Sequence, residues 1–337
     1  MACTIKDVAK KANVSTATVS LVLNRSPAIS ESTRKRVEKA IEELGYHPRA
    51  SARTLATRRT GNIGFILTDD HFSRAEPFYT RVFLGTEFEA RERNYYILLT
   101  TVPREFSPSQ HAPRFLVERN VDALIMAGKV PDSLIQYVMK FKLPTVFVDY
   151  WVPGYDISAI LIDNLNGARE AVRHLIQKGH RRIAFLGGDI QHPSISERLQ
   201  GYRQAIREGG AELDEKLVVC SVPNTGFQDG EKAMELLLQR NVPFTAVFAC
   251  NDAMAIGGMR TLREAGKRIP EDVAVVGFDN TEASTLVTPR LTTVHVDKVE
   301  LGASALRRIV EHIEKKHRKS HKILIPTHLV VRDSCGH

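Results

Sequence analysis

The sequence predicts an α/β protein: an N-terminal three-helix head of the helix-turn-helix type, followed by two doubly wound parallel α/β lobes. Three observations lead there. Short, well-capped helical stripes fill residues 1–48. From Asn62 onward, near-continuous apolar runs of strand length alternate with helical stripes. Nearly all of the excess positive charge lies in the first sixty residues of the 337.

The head comes first in the chain. Thr4-Ile-Lys-Asp7 has the form of a helix start, and Ile5, Val8, Ala9 and Ala12 then share one helical face. Asn13-Val14 interrupts the stripe and Ser15 is a second N-cap. Thr16 to Asn24 is a short helix whose Val19, Val22 and Leu23 can face the first. Ser30 caps a third helix carrying Val37, Ala40, Ile41 and Leu44, and Gly45 stands where a left-handed C-cap is wanted. Three such stripes close one small core, and the first two form a helix-turn-helix candidate. After Pro48, the stretch from Ala50 to Arg59 is Ala-rich and basic. It is too short to be helical in water unaided, so its helix should be conditional.

In the body, Asn62–Thr68, Tyr95–Thr100, Ala123–Ala127 and Pro144–Asp149 have the composition of parallel strands buried on both faces. A helix over Asn164–Gly179 separates them from a second series at Arg182–Gly188, Leu217–Val222, Ala246–Asn251 and Val273–Asp279.

Charge indicates a partner. Residues 1–60 hold 12 Lys or Arg against 5 Asp or Glu, whereas residues 61–337 hold 35 against 34. A basic three-helix unit with short polar side chains on its second helix suits double-stranded DNA. The hydrophobic fraction of 43% and charged fraction of 26% are those of a soluble globular protein. The opening Met-Ala-Cys-Thr-Ile-Lys has no apolar secretory core and no stretch approaches a membrane span, so a cytoplasmic location without membrane contact is expected. Cys3, Cys220, Cys250 and Cys335 show no metal-ligand spacing, and Cys220 and Cys250 end apolar runs as small hydrophobes would. The chain has no Gly-x-Gly-x-x-Gly after a strand, no Walker-type loop and no Ser-His-Asp order. No catalytic residues, cofactor or metal are therefore expected, and the chain should not be an enzyme.

The run Thr4-Ile-Lys-Asp-Val-Ala-Lys-Lys-Ala-Asn-Val-Ser-Thr-Ala-Thr-Val-Ser-Leu-Val-Leu-Asn24, with Tyr46-His-Pro48 and Ala52-Arg-Thr-Leu55, closely resembles the LacI/GalR (lactose-repressor) family of bacterial transcription regulators. The resemblance covers essentially the whole chain. It implies a DNA-binding head at 1–48, a hinge helix at 49–60 and a periplasmic-binding-protein-like effector core at 61–337. Lobe one of that core would take about 61–162 and 293–324, and lobe two about 163–292 and 325–337. Thr292–Val296 and Ile323–Arg332 are then strands where the chain crosses between lobes. No leucine heptad follows Val331, so a homodimer on a palindromic operator is expected.

With Val19, Val22 and Leu23 turned inward, Thr16, Ala17, Ser20 and Leu21 point outward, where a recognition helix reads base edges. The resemblance adds Asn24, Arg53, Leu55 and Ala56. Leu55 is placed to act as an apolar wedge in the minor groove, with Ala56 small enough for close approach and Arg53 available for phosphate. Lys6, Arg25, Arg34, Lys35, Arg49 and Arg58 are candidate phosphate contacts.

For the effector, Asp149, Arg198, Asn251 and Asp279 stand at inferred strand ends and match the family's ligand positions. Phe78 and Tyr79 match its aromatic step, and His192 and Ser194 match its pocket-lining loop. Carboxylates, an amide and a guanidinium suit vicinal diols, so a carbohydrate is the expected effector. A purine or nucleoside effector, or a coregulating phosphoprotein, is the alternative within the family. A sugar carrier and a sugar-acting enzyme are the alternatives outside it. Exchanging Thr16 and Ala17 for the corresponding pair of another family member should change the preferred half-site in a binding-site selection; an unchanged preference would remove them from base readout.

Overall fold

The computed structural model describes residues 3–23, 26, 28–46, 59–71, 78–314 and 319–336. The chain divides into two compact units, Met1–Gly61 and Asn62–His337.

The first unit holds α1 (Ile5–Ala12), α2 (Thr16–Leu23) and α3 (Glu31–Leu44). Asp7 accepts from the Thr4 backbone N–H at 2.8 Å and from the Thr4 hydroxyl at 2.7 Å, fixing the start of α1. Asn13, at φ 50°, ends α1 in the left-handed region. The Ser15 hydroxyl accepts from the Thr18 N–H at 3.0 Å, so the second helix is capped as its sequence suggests. Val8, Ala9, Ala12, Val19, Val22, Val37 and Ala40 form the core. Tyr46, which periodicity does not single out because it follows the Gly45 cap, seals the same core.

The second unit contains two six-stranded sheets. The first comprises β1 (Asn62–Thr68), β2 (Tyr96–Val102), β3 (Ala123–Ala127), β4 (Thr145–Val148), β5 (Ser158–Ile162) and β11 (Lys322–Ile325), in the order β11-β5-β4-β3-β1-β2. The second comprises β6 (Ile183–Leu186), β7 (Val218–Val219), β8 (Ala246–Ala249), β9 (Ala274–Asp279), β10 (Thr292–Val296) and β12 (Thr327–Val330), in the order β12-β10-β9-β8-β6-β7. Sheet one is parallel throughout, and the phenylalanines Phe65, Phe147, Phe185, Phe248 and Phe278 are fully buried between sheets and helices.

Four features differ from the expectation. β10 belongs to the second lobe, so the chain crosses at Asp297 rather than near residue 292; β10 pairs with both β9 and β12 through to Val296. The last crossing falls at Pro326, because Ile325 still pairs with Ile162. β12 is antiparallel to β10. It begins at the junction where β10 ends, Thr327 lying opposite Val296, and so must run the other way. Finally, β2 is an edge strand with half-exposed residues rather than one buried on both faces.

The helix Lys298–Glu314 returns to the first lobe and packs on Phe78–Glu92. Glycines set how close the two come: a Cβ on Gly302 would overlap the Val82 carbonyl, and one on Gly85 would overlap the Val299 carbonyl. Gly302→Ala should therefore destabilise the second unit by about 1–3 kcal/mol despite alanine's better helix propensity. Denaturant titration checks this, and an unchanged or raised midpoint would show that the helices can separate without loss.

Candidate functional site

The head presents the outward face that its pattern requires. Thr16, Ala17 and Leu21 are exposed, Ser20 is half-buried, and Val19 and Val22 lie in the core. Leu21 is 42% exposed although apolar, so this face carries methyl groups rather than charge. Lys6 and Lys35 are exposed. Arg34 is engaged within the head, donating to the Ser26 carbonyl at 3.1 Å, and Lys11 pairs with Glu43 at 2.6 Å. Asn24, Arg53, Leu55 and Ala56, with Arg25, Arg49 and Arg58, lie outside the described residues.

In the second unit, every strand of sheet one and all but β12 of sheet two end towards the lobe junction. Loops at strand C-termini therefore face one another there, which is where α/β lobes hold ligands. A cleft of about 780 Å³ opens among them, lined by Thr68 and His71 after β1, Lys129 after β3, Asp189 and His192 after β6, and residues 223–229 after β7.

Beside this cleft, six of the eight predicted effector residues fall into two polar clusters, one around Asp149 and one around Arg198. Asp149, held at φ 54°, accepts from the Tyr79 hydroxyl at 2.9 Å within its own lobe and from the Ser194 hydroxyl at 2.7 Å across the junction. Arg198 pairs with Asp279 at 3.3 Å, donates to the Asn164 side chain at 2.8 Å and to the Cys250 carbonyl at 2.6 Å, and lies 3.7 Å over the Phe278 ring. Asp279, at φ 103°, has a left-handed backbone that turns it out of β9. Burial pushes its carboxyl up, and the neighbouring Arg198 and Lys298 oppose that. Lys298 spans the crossing by donating to the backbone carbonyls of Asp279 and Val296. His192, depressed by burial, caps the helix Pro193–Glu208 by accepting from the Ser194 N–H at 3.3 Å.

The other two sit differently. Both ends of the Asn251 amide serve structure: it caps the helix Asp252–Glu264 by accepting from the Met254 N–H at 2.9 Å, and it donates to the Thr225 carbonyl at 2.9 Å. Phe78 is partly buried, edge-on to Tyr79 at 5.0 Å and 5.8 Å from the Lys298 ammonium.

Two further contacts cross the junction and were not predicted. Lys129 reaches Asp189 at 3.2 Å, and Arg104, anchored on Asp70 at 2.9 Å, reaches Asn224 at 3.1 Å. Applying the strand-end rule to every strand would have found Asp70, His71, Lys129 and Asp189. Asn224, two residues beyond the apolar run Leu217–Val222, answers to the same rule although β7 itself is only two residues long.

The chemistry is that of a binding site. Among the described residues no group of three His, Cys, Asp or Glu could hold a metal. Burial pushes the Cys250 thiol up to about 12 and the Cys220 thiol to about 11, so neither is a ready nucleophile. Asp252, deeply buried near Asp279, is pushed up to about 7, but its oxygens are occupied by Thr281 and Thr293.

Residues 4–49 match the model described as bacterial regulatory proteins, lacI family, and residues 172–335 match the periplasmic binding protein-like domain. The chain is 37% identical to the HTH-type transcriptional regulator CelR of Thermobifida fusca over 335 residues, 98% of each. A solved complex of the transcriptional regulator CelR with cellobiose superposes with a TM-score of 0.76 at 35% identity, covering 98% of this chain and 99% of that one. The lac repressor dimer bound to operator and the anti-inducer ONPF superposes with a TM-score of 0.81 at 28% identity, over 100% of both chains.

His71 yields a test of the cleft's electrostatics. Burial pushes its imidazole from 6.5 down to about 4, and its buried Nδ1 has no hydrogen-bond partner. The unfolded chain therefore takes up this proton at a higher pH than the folded one. Stability is complete above pH 6.5 and is lost as the pH falls towards 4. By denaturant titration, a His71→Gln variant should lose about 2 kcal/mol less than the parent between about pH 7 and 4.5; equal losses would assign the acid sensitivity elsewhere.

Proposed function

The chain belongs to the lacI family of bacterial regulatory proteins, and from that premise we propose that it is a homodimeric repressor that binds a palindromic operator and is controlled by a carbohydrate held between its lobes. That it is a DNA-binding transcriptional regulator and not an enzyme follows from the family. The identity of the effector and the manner of control are the proposal.

The observation that carries it is the pair of buried polar clusters, Tyr79 with Asp149 and Ser194, and Arg198 with Asp279, at the mouths of both sheets. These are hydroxyls, carboxylates and a guanidinium: Asp149 and Asp279 stand at strand ends, whereas Tyr79, Ser194 and, contrary to the sequence expectation of a strand end, Arg198 are carried on helices. A polyhydroxyl ligand can enter such a set by exchanging one hydrogen-bonded partner for another, without leaving a charge unpaired. The cleft's volume lies within the range of ordinary small-molecule sites. The relative CelR was solved with cellobiose, which supports the same ligand class.

Control follows from linkage. Among the described residues, the side-chain contacts across the junction include Asp149 to Ser194, Lys129 to Asp189, Arg104 to Asn224 and Lys298 to the Asp279 carbonyl. An effector that replaces any of them has a different affinity for the closed and the relaxed clamp, and only that difference can shift the equilibrium. On the DNA side, we place Thr16, Ala17, Ser20, Leu21 and Asn24 in the major groove and Leu55, between Arg53 and Ala56, in the minor groove. Operator affinity and effector affinity must then change each other by the same factor.

A thermal-shift screen of neutral sugars on the full-length chain should find at least one that raises the melting temperature, with about 2.7 kcal/mol of stabilisation at one hundred times its dissociation constant. Arg198→Ala should abolish the shift. The carbohydrate reading fails if every sugar is inert, and the coupling fails if the sugar found binds equally well with and without operator.

A further inference from the structure

Of the clustered polar effector residues, only His192 lines the open volume of the cleft. Asp149, Ser194, Arg198 and Asp279 are each at most 8% exposed and are bonded mainly to one another and to the backbone. The space itself is bounded by outer groups: Asp70, Arg104, Lys129, Asp189, Asn224 and Phe227. We propose that this mouth is a second, outer subsite for a further ring of a neutral glycan, with Phe227 as its apolar platform and Arg104 and Asn224 as its polar rim. The inference rests on the carbohydrate reading and specifies the length and charge of the ligand.

Two observations support it. Phe227, in the first turn of the helix Phe227–Gln239, is 36% exposed inside a polar cleft, next to Pro223 in the same wall. An aromatic left partly in water gains from an apolar face laid against it, and a sugar ring has one such face with hydroxyls around its rim. Arg104 and Asn224 meet across the junction beside it, so a ring seated there would touch donors and acceptors from both lobes.

The charges at the mouth argue for neutrality. Arg104 is held by Asp70, Lys129 by Asp189, and Asp229 accepts from the Gly226 N–H at 3.1 Å, closing the helix N-terminus with its own carboxylate. A phosphate or carboxylate ligand would have to break an existing ion pair or displace Asp229. A neutral polyol adds hydrogen bonds around pairs that remain intact.

Calorimetric titration of the full-length chain with glucose, galactose, xylose, cellobiose, lactose, xylobiose and glucose 6-phosphate tests this. At least one disaccharide should bind about tenfold or more tightly than its component monosaccharide. Phe227→Ala should weaken that disaccharide about five- to tenfold while changing the monosaccharide by less than about twofold, and Phe227→Tyr should retain the parent affinity. An unchanged melting curve for Phe227→Ala confirms that the fold is intact. Equal affinity for one and two rings, equal weakening of both by Phe227→Ala, or preference for glucose 6-phosphate would each overturn the outer subsite and leave the carbohydrate reading standing. If no saccharide binds, the carbohydrate reading falls and takes the subsite with it.

Discussion

Three chain crossings, at Asp163, Asp297 and Pro326, hold the two sheets end to end and determine most of what this protein can do. Parallel strands all finish at the same edge of their sheet. Two such edges joined at three points bring loops from many separate stretches of sequence face to face. The cleft is the geometric result, and the binding groups are whatever those loops carry. The single antiparallel pair, β10 with β12, follows from the same constraint, since a strand entered from the junction can only lead away from it.

Burial at the junction sets the electrostatics. Arg198 and Asp279 are withdrawn from water, and a buried charge persists only when paired and hydrogen-bonded. Arg198 is matched by Asp279 and the Asn164 side chain, Asp279 has the ion pair although its buried Oδ1 has no hydrogen-bond partner among the described residues, and Asp149 takes a hydroxyl from across the junction. Polar contacts join the lobes at the junction, beside an apolar core that runs as one cluster through both. Gly85 and Gly302 let Lys298–Glu314 and Phe78–Glu92 pack closely in the first lobe.

The head works on a smaller scale. Its core rests on small aliphatic side chains and Tyr46, with helix ends fixed by Thr4, Asp7, Ser15 and Ser30 rather than by extensive packing. Short side chains on α2 let its outer face approach a surface closely. Lys6 and Lys35 are exposed, while Arg34 and Lys11 are used to hold the head together.

Local patterns in the sequence sufficed for the three helices of the head, the placement of most strands and the strand-end positions of Asp149 and Asp279. Hydrophobic period and capping residues are properties of adjacent positions. β5 was not marked, because its run is short and opens on Ser158, and the second and third of the three crossings were displaced by a few residues, because pairing partners decide where a strand ends. Asn251 illustrates the limit for the site: its residue type and position suggested a ligand contact, yet capping Met254 and reaching Thr225 occupy it, and only the neighbouring chain could reveal that. The lobe-bridging contacts of Arg104, Lys129 and Ser194 likewise join residues separated by 120, 60 and 45 positions. What the sequence by itself determined was the class of protein and the chemistry available to it, because periodicity and charge are written locally. Which of those groups face the open cleft and which are spent on one another was decided by the tertiary structure, since a hydrogen bond across the junction depends on where two distant strand ends are brought to rest.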